Sequence, residues 1–344
     1  MPEKKSVLVI RLSSLGDIVL STAAVEPLRR AGYEVYFATK KAFAPLLEGD
    51  PAIAGVFSFD KAAGEAEARM AFFRWCEEKN FSLVLDLQDS WRTWSWRRAL
   101  KKRSKIFVAR KERLREWLIL FLRLGAWVGF GRGGRARKFR RAALDALASL
   151  GEFPEASASL TSLHVSEAER AAVAPLLPAG DFAVIIPASA WKGKEWPYFP
   201  ELAAVLARKI PVVVLGAEKD LQCDEVARAA AAVNPLSRSL RGQTSLRMSL
   251  AVVASARYVL GNDTGLVHAG EALGHDVAMV EGPTHRQMGF SPYREKSALL
   301  GLNLICRPCS KTGRICPRFG TYKCLNDLTV AGVAETLRRR GYPC

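Results

Sequence analysis

The 344-residue sequence has no run of about 18 apolar residues, the length that a membrane-spanning helix needs. Its first apolar run is too short for a secretory signal peptide and is interrupted by Arg11. We therefore expect a cytoplasmic protein. Apolar residues make up 49% of the chain, which excludes a disordered protein, and the length indicates two domains.

The turn after the first predicted strand, residues 12–17, has neither a G-x-G-x-x-G fingerprint nor a following GK[ST]. These absences disfavour a nicotinamide-dependent oxidoreductase and a P-loop enzyme. The turn instead places Asp17 at the start of a predicted helix over 18–30. The helix dipole favours an ionised carboxylate there, as a general base requires, whereas a purely capping role is the alternative.

A second C-x-x-C is missing from residues 306–324, the cysteine-rich segment. The chain has seven cysteines, and four of them lie in these 19 residues: Cys306, Cys309, Cys316 and Cys324. One interpretation is a structural zinc site with four thiolate ligands, and the other is free thiols in a packed loop. Stable disulfides are not expected in a reducing compartment.

Acidic residues are scarce between residues 91 and 141, where 18 Lys and Arg face only Glu112 and Glu116. This basic segment holds almost all of the net charge of +17. It also contains five tryptophans and an apolar run over 117–130, which suit an interface with anionic lipid head groups or direct phosphate contacts. Nucleic-acid binding is disfavoured by the apolar run, and a core helix with a solvated basic face is the plain alternative.

Apolar strands alternate with helical patterns along the chain, which predicts an α/β protein with parallel sheets. The predicted strands are 6–11, 34–38, 56–59, 81–87, 181–186, 210–215, 258–260 and 276–281. Gln88, Ser90 and Arg92 follow the predicted strand over 81–87, so they are candidate substrate contacts, with a solvated loop as the alternative. We place the interdomain connection in the Pro-, Ala-, Ser- and Gly-rich stretch 151–180.

The stretch 257–274 reads as a buried strand, a polar turn and a helix made of small residues. This order directs helical N–H groups and the positive dipole end at whatever lies above the turn, and an anionic diphosphate suits such a site. Asp263 and Thr264 can cap the helix or contact a ligand, and His268 lies one helical turn after Thr264. A capped turn without a ligand is equally compatible with the pattern.

Seven stretches, taken in order, resemble glycosyltransferase family nine, the ADP-heptose:lipopolysaccharide heptosyltransferases. They are RLSSLGDIVLSTAAVEPLR (11–29), LDLQDSWR (85–92), KEWP (194–197), GAEKD (216–220), MSL (248–250), GNDTGLVHAGEAL (261–273) and GPT (282–284). The most specific combination is S-x-L-G-D together with D-T-G-x-x-H.

The resemblance implies a GT-B architecture, in which two Rossmann-like domains with parallel sheets face a central cleft. We expect an acceptor domain over 1–165 that includes the basic segment, and a nucleotide-sugar domain over 166–325. A last helix over 326–344 is expected to pack back on the first domain.

The resemblance also implies an inverting transfer of heptose from ADP-heptose to a Kdo or heptose hydroxyl of the lipopolysaccharide inner core. Asp17 matches the general base, and Lys194 would stabilise the departing diphosphate. The donor positions are Ser189, Lys192, Glu218 for ribose, Met248 for adenine, Asp263, Thr264, Gly265 and His268. The acceptor positions are Ser14, Gly16, Gln88 and Arg92.

No D-x-D occurs in the chain, which fits leaving-group stabilisation without a metal or other cofactor. The expected partners are a nucleotide sugar, a lipid A–Kdo type acceptor and, through the basic segment, the cytoplasmic face of the inner membrane, with no nucleic acid. A family member that moves another nucleotide sugar is the nearest alternative. A basic nucleic-acid-binding protein is the more remote one.

Overall fold

The computed structural model describes residues 5–60, 64–122, 124–155, 159–284, 286–310, 313–314 and 316–344. The chain divides into two compact units. Unit 1 consists of Met1–Glu112 and Arg135–His164, and unit 2 consists of Arg113–Gly134 and Val165–Cys344.

Unit 1 alternates strands and helices. Its elements are β1 (Ser6–Ile10), α1 (Leu15–Ser21), α2 (Val25–Arg30), β2 (Glu34–Lys40), β3 (Gly55–Phe59), α3 (Glu65–Lys79), β4 (Leu83–Asp86), α4 (Trp91–Leu100) and β5 (Lys105–Val108). The chain then passes through α5 (Arg113–Phe121) and α6 (Gly125–Val128) of unit 2 and returns in α7 (Gly134–Ala148).

Within the described residues, the strands of unit 1 form a parallel sheet in the order β3-β2-β1-β4-β5. Leu8 of β1 lies opposite Tyr36 of β2 and Val84 of β4. From β1 the successive strands β2 and β3 are added on one side, and β4 and β5 are added on the other, so the switch point lies between β1 and β4. In open α/β sheets, ligands bind outside the carboxyl ends of the strands at such a switch point.

The single helix predicted over 18–30 is interrupted. A 3-10 turn, Thr22–Ala24, separates α1 from α2. The hydroxyls of Ser21 and Thr22 donate to the carbonyls of Ile18 and Val19 at 2.7 Å. Such side-chain bonds to the preceding turn compete with regular helical bonding.

Unit 2 repeats the alternation. Its remaining elements are α8 (Glu167–Val173), β6 (Ala183–Ile186), α9 (Phe199–Ala207), β7 (Val212–Val214), α10 (Gln222–Ala231), β8 (Arg238–Ser239), α11 (Leu246–Ser255), β9 (Tyr258–Asn262), α12 (Gly265–Ala272), β10 (Val277–Val280), β11 (Ala298–Leu300), α13 (Lys323–Asn326) and α14 (Val330–Arg339).

The described strands of unit 2 also form a parallel sheet, in the order β11-β10-β9-β6-β7-β8. Its switch point lies between β6 and β9, whose Ile186 and Gly261 are partners. A Cβ added to Gly261 would lie 2.4 Å from the carbonyl oxygen of Ile186, so only glycine permits this close approach. The predicted α/β class, with two parallel-sheet domains, is confirmed.

One boundary differs from the sequence prediction. The segment Arg113–Gly134, expected in the first domain, belongs to unit 2. The backbone N–H of Phe130 donates to Gln287, and that of Gly133 donates to Ser291, both in unit 2. These long-range bonds leave no signal in the sequence pattern.

The last helix is grouped with unit 2, and its expected packing on the first domain stays a prediction. Val333, Ala334 and Leu337 of α14 are buried in the same core cluster as α9 and β11. The apolar face of α14 therefore packs against α9 and β11 of unit 2. The hydroxyl of Tyr342 then donates to the carbonyls of Val259 and Asp276.

Candidate active site

Asp17 lies in the first turn of α1, directly after β1. Its Oδ2 accepts hydrogen bonds from the backbone N–H of Ser14 at 3.2 Å and from the Ser14 hydroxyl at 2.9 Å. Its Oδ1 pairs with the guanidinium of Arg11 at 2.8 Å. Asp17 therefore takes part in capping α1, and its carboxylate is also held next to a permanent positive charge. Gly16 lies half-buried beside it.

Arg11 is a site residue that the sequence pattern did not identify. Its Nη1 donates to the carbonyl of Leu87 at 2.5 Å, and its guanidinium lies 5.2 Å from the Phe139 ring centre. It therefore joins the turn after β1 to the loop after β4. The signal in the sequence was a cation at the carboxyl end of an apolar strand.

The loop after β4 is built around a buried ion pair. Asp86 is fully buried and pairs with Arg97 at 2.6 Å. Asp86 also accepts the backbone N–H groups of Gln88 and Asp89. Since β1 and β4 are neighbours, this loop lies at the same sheet edge as the turn carrying Asp17.

The predicted acceptor residues of this loop already have partners within unit 1. The amide oxygen of Gln88 accepts the backbone N–H of Leu12 at 3.0 Å. Arg92 is partly exposed and pairs with Glu65 at 3.1 Å. Ser90 caps α4 through the N–H of Thr93. Contact of these residues with an acceptor stays a prediction.

In unit 2, four polar side chains meet at the switch point. Asp263 Oδ2 accepts from Lys194 Nζ at 2.7 Å and from the Thr284 hydroxyl at 2.8 Å. His268 Nε2 lies 3.5 Å from Asp263 Oδ1. Lys194 ends the 3-10 turn Lys192–Lys194 after β6, and Thr284 follows β10. The carboxyl ends of three adjacent strands therefore supply the cluster.

Electrostatics keep the Asp263 carboxylate ionised. Burial alone would raise its pKa, but the charge of Lys194 and the hydrogen bonds from His268 and Lys194 hold the pKa well below its usual range. A buried carboxylate with a cation and two further donors is a stable anchor rather than a proton acceptor. Asp263 is therefore suited to fixing Lys194 in place.

The cluster lies at the start of α12. Thr264 is the N-cap residue and Gly265 the first residue of this eight-residue helix. The amide groups of its first turn, with the Lys194 ammonium, make a place where negative charge is favoured. An ammonium has three donors and Asp263 accepts one of them, so Lys194 can hold Asp263 and an anion together.

Asn262, which the sequence pattern did not identify, fixes the loop after β6. Its side chain is fully buried, accepts from the N–H of Trp196 at 3.1 Å and donates to the carbonyl of Pro187 at 2.5 Å. Within the same loop, the N–H of Ser189 donates to Glu195. The loop that carries Lys194 is therefore tied to β9 at both ends.

The remaining predicted donor residues lie at the surface or half-buried. Lys192 and Glu218 are exposed, and Met248 is half-buried in the first turn of α11. The carbonyl of Glu218 accepts from Arg241. A cavity of about 420 Å³ beside the turn is lined by Lys192, with Glu195 and Trp196 among its other walls. The role of Lys192, Glu218 and Met248 in nucleotide binding stays a prediction.

The described residues do not show the zinc site that is one of the two interpretations of the four cysteines. Among the described residues, no group of three or more His, Cys, Asp and Glu side chains could hold a metal ion. Cys306, Cys309, Cys316 and Cys324 form no disulfide in the part of the chain that the structure describes. Burial raises the pKa of Cys324 to about 11. The spacing of the cysteines alone did not determine whether their side chains converge.

The basic segment presents aromatic side chains in both units. In unit 1, Trp91 is 82% exposed and stacks on Trp94 at 5.1 Å, whereas Trp96 is buried against Phe59. The core interpretation therefore holds for Trp96 alone of these three.

In unit 2, the predicted apolar run 117–130 is divided between α5 and α6. Arg115 donates to the carbonyls of Val128 and Gly129 and so ties the two helices together. Phe121 and Trp127 are 68% and 86% exposed. No helix in the described ranges combines the length and apolar character that crossing a bilayer requires.

The chain matches one known protein family over most of its length. The sequence model of glycosyltransferase family 9 (heptosyltransferase) matches residues 69–318. The chain belongs to this family. It is a glycosyltransferase, and the resemblance seen in its motifs is confirmed.

Relatives of the family cover nearly the whole chain. Lipopolysaccharide heptosyltransferase 1 of Pseudomonas aeruginosa strain PAO1 is 26% identical over 322 residues, 89% of this chain and 86% of the relative. The glycosyltransferase family 9 structure from Veillonella parvula superposes with a TM-score of 0.76 at 18% identity, covering 99% of this chain and 98% of that one.

The structure of E. coli ADP-heptose lipopolysaccharide heptosyltransferase II superposes with a TM-score of 0.71 at 21% identity, covering 97% and 98%. At this level of identity, the two family 9 structures support the fold alone.

Proposed function

We propose that this family 9 enzyme transfers heptose from ADP-heptose to a Kdo or heptose hydroxyl of the lipopolysaccharide inner core. The observation that carries the proposal is the Asp263–Lys194 pair at the start of α12, a site suited to a diphosphate. The names of the Pseudomonas and E. coli relatives support the sugar and the acceptor class.

In this proposal the acceptor hydroxyl oxygen attacks the anomeric carbon of heptose, and the bond from that carbon to the diphosphate oxygen breaks. Asp17 accepts the hydroxyl proton, and ADP leaves from the opposite face, so the configuration inverts. Arg11 and Ser14 hold the Asp17 carboxylate by its two oxygens, which fixes its direction. Ser14, Gly16, Gln88 and Arg92 are the proposed acceptor contacts.

Negative charge develops on the diphosphate as the bond breaks. We assign its stabilisation to Lys194 and to the N–H groups around Thr264 and Gly265, with Ser189 and Lys192 as further phosphate contacts. Asp263 and His268 complete this half of the donor site. Glu218 is assigned to the ribose and Met248 to the adenine. This chemistry needs no cofactor beyond the donor.

Association with the cytoplasmic face of the inner membrane is a further part of the proposal. Its support is the coincidence of exposed Trp91 and Trp127 with the basic segment. Aromatic side chains next to Arg and Lys favour a surface of anionic lipids, where the acceptor's lipid A resides.

The decisive experiment measures sugar transfer from ADP-heptose to Kdo-lipid A and to heptosyl-Kdo-lipid A. We expect product with at least one acceptor, and tighter calorimetric binding of ADP-heptose than of UDP- or GDP-sugars. Preference for a non-adenine nucleotide would favour the alternative family member that moves a different sugar. Binding of a DNA duplex that weakens steeply with salt would instead support the nucleic-acid alternative.

A further inference from the structure

Arg307 carries a buried guanidinium within the cysteine-rich segment. Its side chain is 2% exposed and pairs with Glu281 Oε2 at 2.7 Å. Its Nε donates to the carbonyl of Gly282 at 2.6 Å, and its Nη1 donates to that of Leu302. Its Nη2 donates to the carbonyls of Glu281 at 2.9 Å and Thr284 at 3.1 Å. The planar fork therefore reaches four carbonyls from three nitrogens in fixed directions, whereas a lysine has three donors on a single nitrogen.

These bonds converge on residues 281–284, the loop that follows β10. The N–H of Cys309 donates to the one remaining carbonyl of this loop, that of Pro283, at 3.2 Å. All four carbonyls of the loop are thus held by the cysteine-rich segment. The loop ends in Thr284, whose hydroxyl donates to Asp263, the partner of Lys194.

Two glycines, Gly301 and Gly313, lie where neighbouring loops pack closely around residues 281–284. A Cβ on Gly301 would lie 3.0 Å from the carbonyl oxygen of Glu281 and 3.2 Å from Arg307 Nη1. A Cβ on Gly313 would lie 2.7 Å from Pro283 and 3.0 Å from the Lys194 side chain. The cysteine-rich segment therefore backs both the Thr284 loop and the turn that carries Lys194.

We propose that Arg307 is a positioning residue for the donor site: by holding residues 281–284 it fixes Thr284 against Asp263, and thereby the Lys194 ammonium. This assignment rests on the proposed function, in which the cluster around Lys194 binds the diphosphate. If Arg307 positions the donor site, the cysteine-rich segment acts through its backbone and through Arg307.

The test compares Arg307→Lys with the wild-type chain by calorimetric titration with ADP and by transfer kinetics. We expect ADP binding to weaken and kcat/KM to fall by about 10- to 100-fold, since small displacements of site groups have effects of that size. Gly301→Ala, which crowds the same guanidinium, should shift both quantities in the same direction. It provides a second variant if Arg307→Lys does not fold.

Tyr342→Phe is the matched control. It removes hydrogen bonds to Val259 and Asp276 at the amino ends of β9 and β10, the opposite edge of the same sheet. We expect its Tm to fall while its ADP affinity stays at the wild-type value. An equal loss of ADP affinity in Tyr342→Phe would overturn the assignment, because general destabilisation would then explain both variants.

A double variant isolates the route. If Arg307 acts through Thr284, then Arg307→Lys should add little to the loss of ADP affinity already caused by Thr284→Val. Fully additive losses, or wild-type ADP affinity in folded Arg307→Lys, would overturn the assignment. Failure of the wild-type chain to bind ADP would refute the proposed donor, and the assignment with it.

Discussion

At the scale of single residues, Asp17 takes part in capping α1, and the proposed proton transfer would be a second task of the same carboxylate. Its carboxylate caps the backbone of Ser14 and pairs with Arg11. The capping role needs an acceptor oxygen, which asparagine keeps, whereas the proposed proton transfer needs a base, which asparagine lacks. The two roles can therefore be separated by substitution.

We predict that Asp17→Ala and Asp17→Asn lower turnover by about 10²- to 10⁴-fold, since each removes the proton acceptor. ADP affinity should change little, because Asp17 is not assigned to the donor. Initial rates at saturating ADP-heptose, with calorimetry of ADP, measure the two effects. Asp17→Asn keeps an oxygen that can cap α1 and so controls for capping, and a wild-type rate in this variant would remove Asp17 from catalysis.

The Lys194–Asp263 pair yields a prediction about coupling. Both side chains are at most 13% exposed, so removing one partner leaves a buried charge uncompensated. We predict that Lys194→Met or Asp263→Asn alone destabilises the chain by about 3–5 kcal/mol, and that the double variant recovers part of this loss. Urea unfolding of the four proteins measures it, and simple additivity would contradict it. ADP affinity should stay low in all three variants.

At the scale of elements, α8 and α11 are joined by Glu169 and Arg247, whose side chains lie 2.6 Å apart. The hydrogen bond from Arg247, together with bonds from Ser166, lowers the pKa of Glu169 from 4.5 to about 2, against a smaller opposing effect of burial. A carboxyl with a lower pKa in the folded state stabilises the fold above its unfolded pKa and loses this contribution as the pH falls.

We therefore predict that Glu169→Gln is less stable than the wild type near pH 7, by about 0.5–1 kcal/mol because the pair is partly exposed. The difference should shrink as the pH falls from 4.5 toward about 2, and also with added salt. Thermal unfolding across pH measures it. Glu167→Gln, in the same first turn of α8, controls for the helix dipole, and an equal pH dependence in both variants would contradict the assignment to Arg247.

Buried apolar strands were predictable from the sequence, because a short apolar run between turn residues has few other uses. The predicted strands over 6–11, 81–87 and 181–186 each contain an observed one. The strand Lys105–Val108 was missed within the basic segment, since its side chains are half-buried or exposed and charged residues flank it.

Asp263 was predictable because it follows a strand, whereas Lys194 was identified only through the family resemblance. Arg11, Asn262 and Arg307 were not found, although each holds a loop of the site together. They act through carbonyls distant in sequence, and spacing along the chain does not encode such contacts. The fold brings these side chains next to the carbonyls that they contact, and only the structure shows it.

At the scale of the whole molecule, the excess positive charge and the exposed aromatic side chains coincide in the basic segment. We predict that the protein floats with vesicles containing anionic lipids and less with neutral vesicles, and that added salt weakens this binding. Trp127→Ala should weaken the apparent affinity for anionic vesicles by about 10- to 100-fold, since burying a large apolar side chain contributes about 1.5–3 kcal/mol.

Phe153→Ala is the matched control, because Phe153 is 80% exposed but lies outside the basic segment. Its vesicle binding should equal that of the wild type. Equal losses in both variants, or equal binding to neutral vesicles, would contradict a lipid-facing role for the basic segment.

The excursion of Arg113–Gly134 into unit 2 has a consequence for how this chain can be divided. The polypeptide passes from one unit to the other three times, so no single cleavage yields two intact halves. A fragment ending at residue 164 would carry Phe130 and Gly133 without Gln287 and Ser291, whose carbonyls accept their backbone N–H groups. Exchange of the segment after residue 165 between family members by one crossover should therefore yield poorly folded chimaeras unless residues 113–134 are exchanged as well.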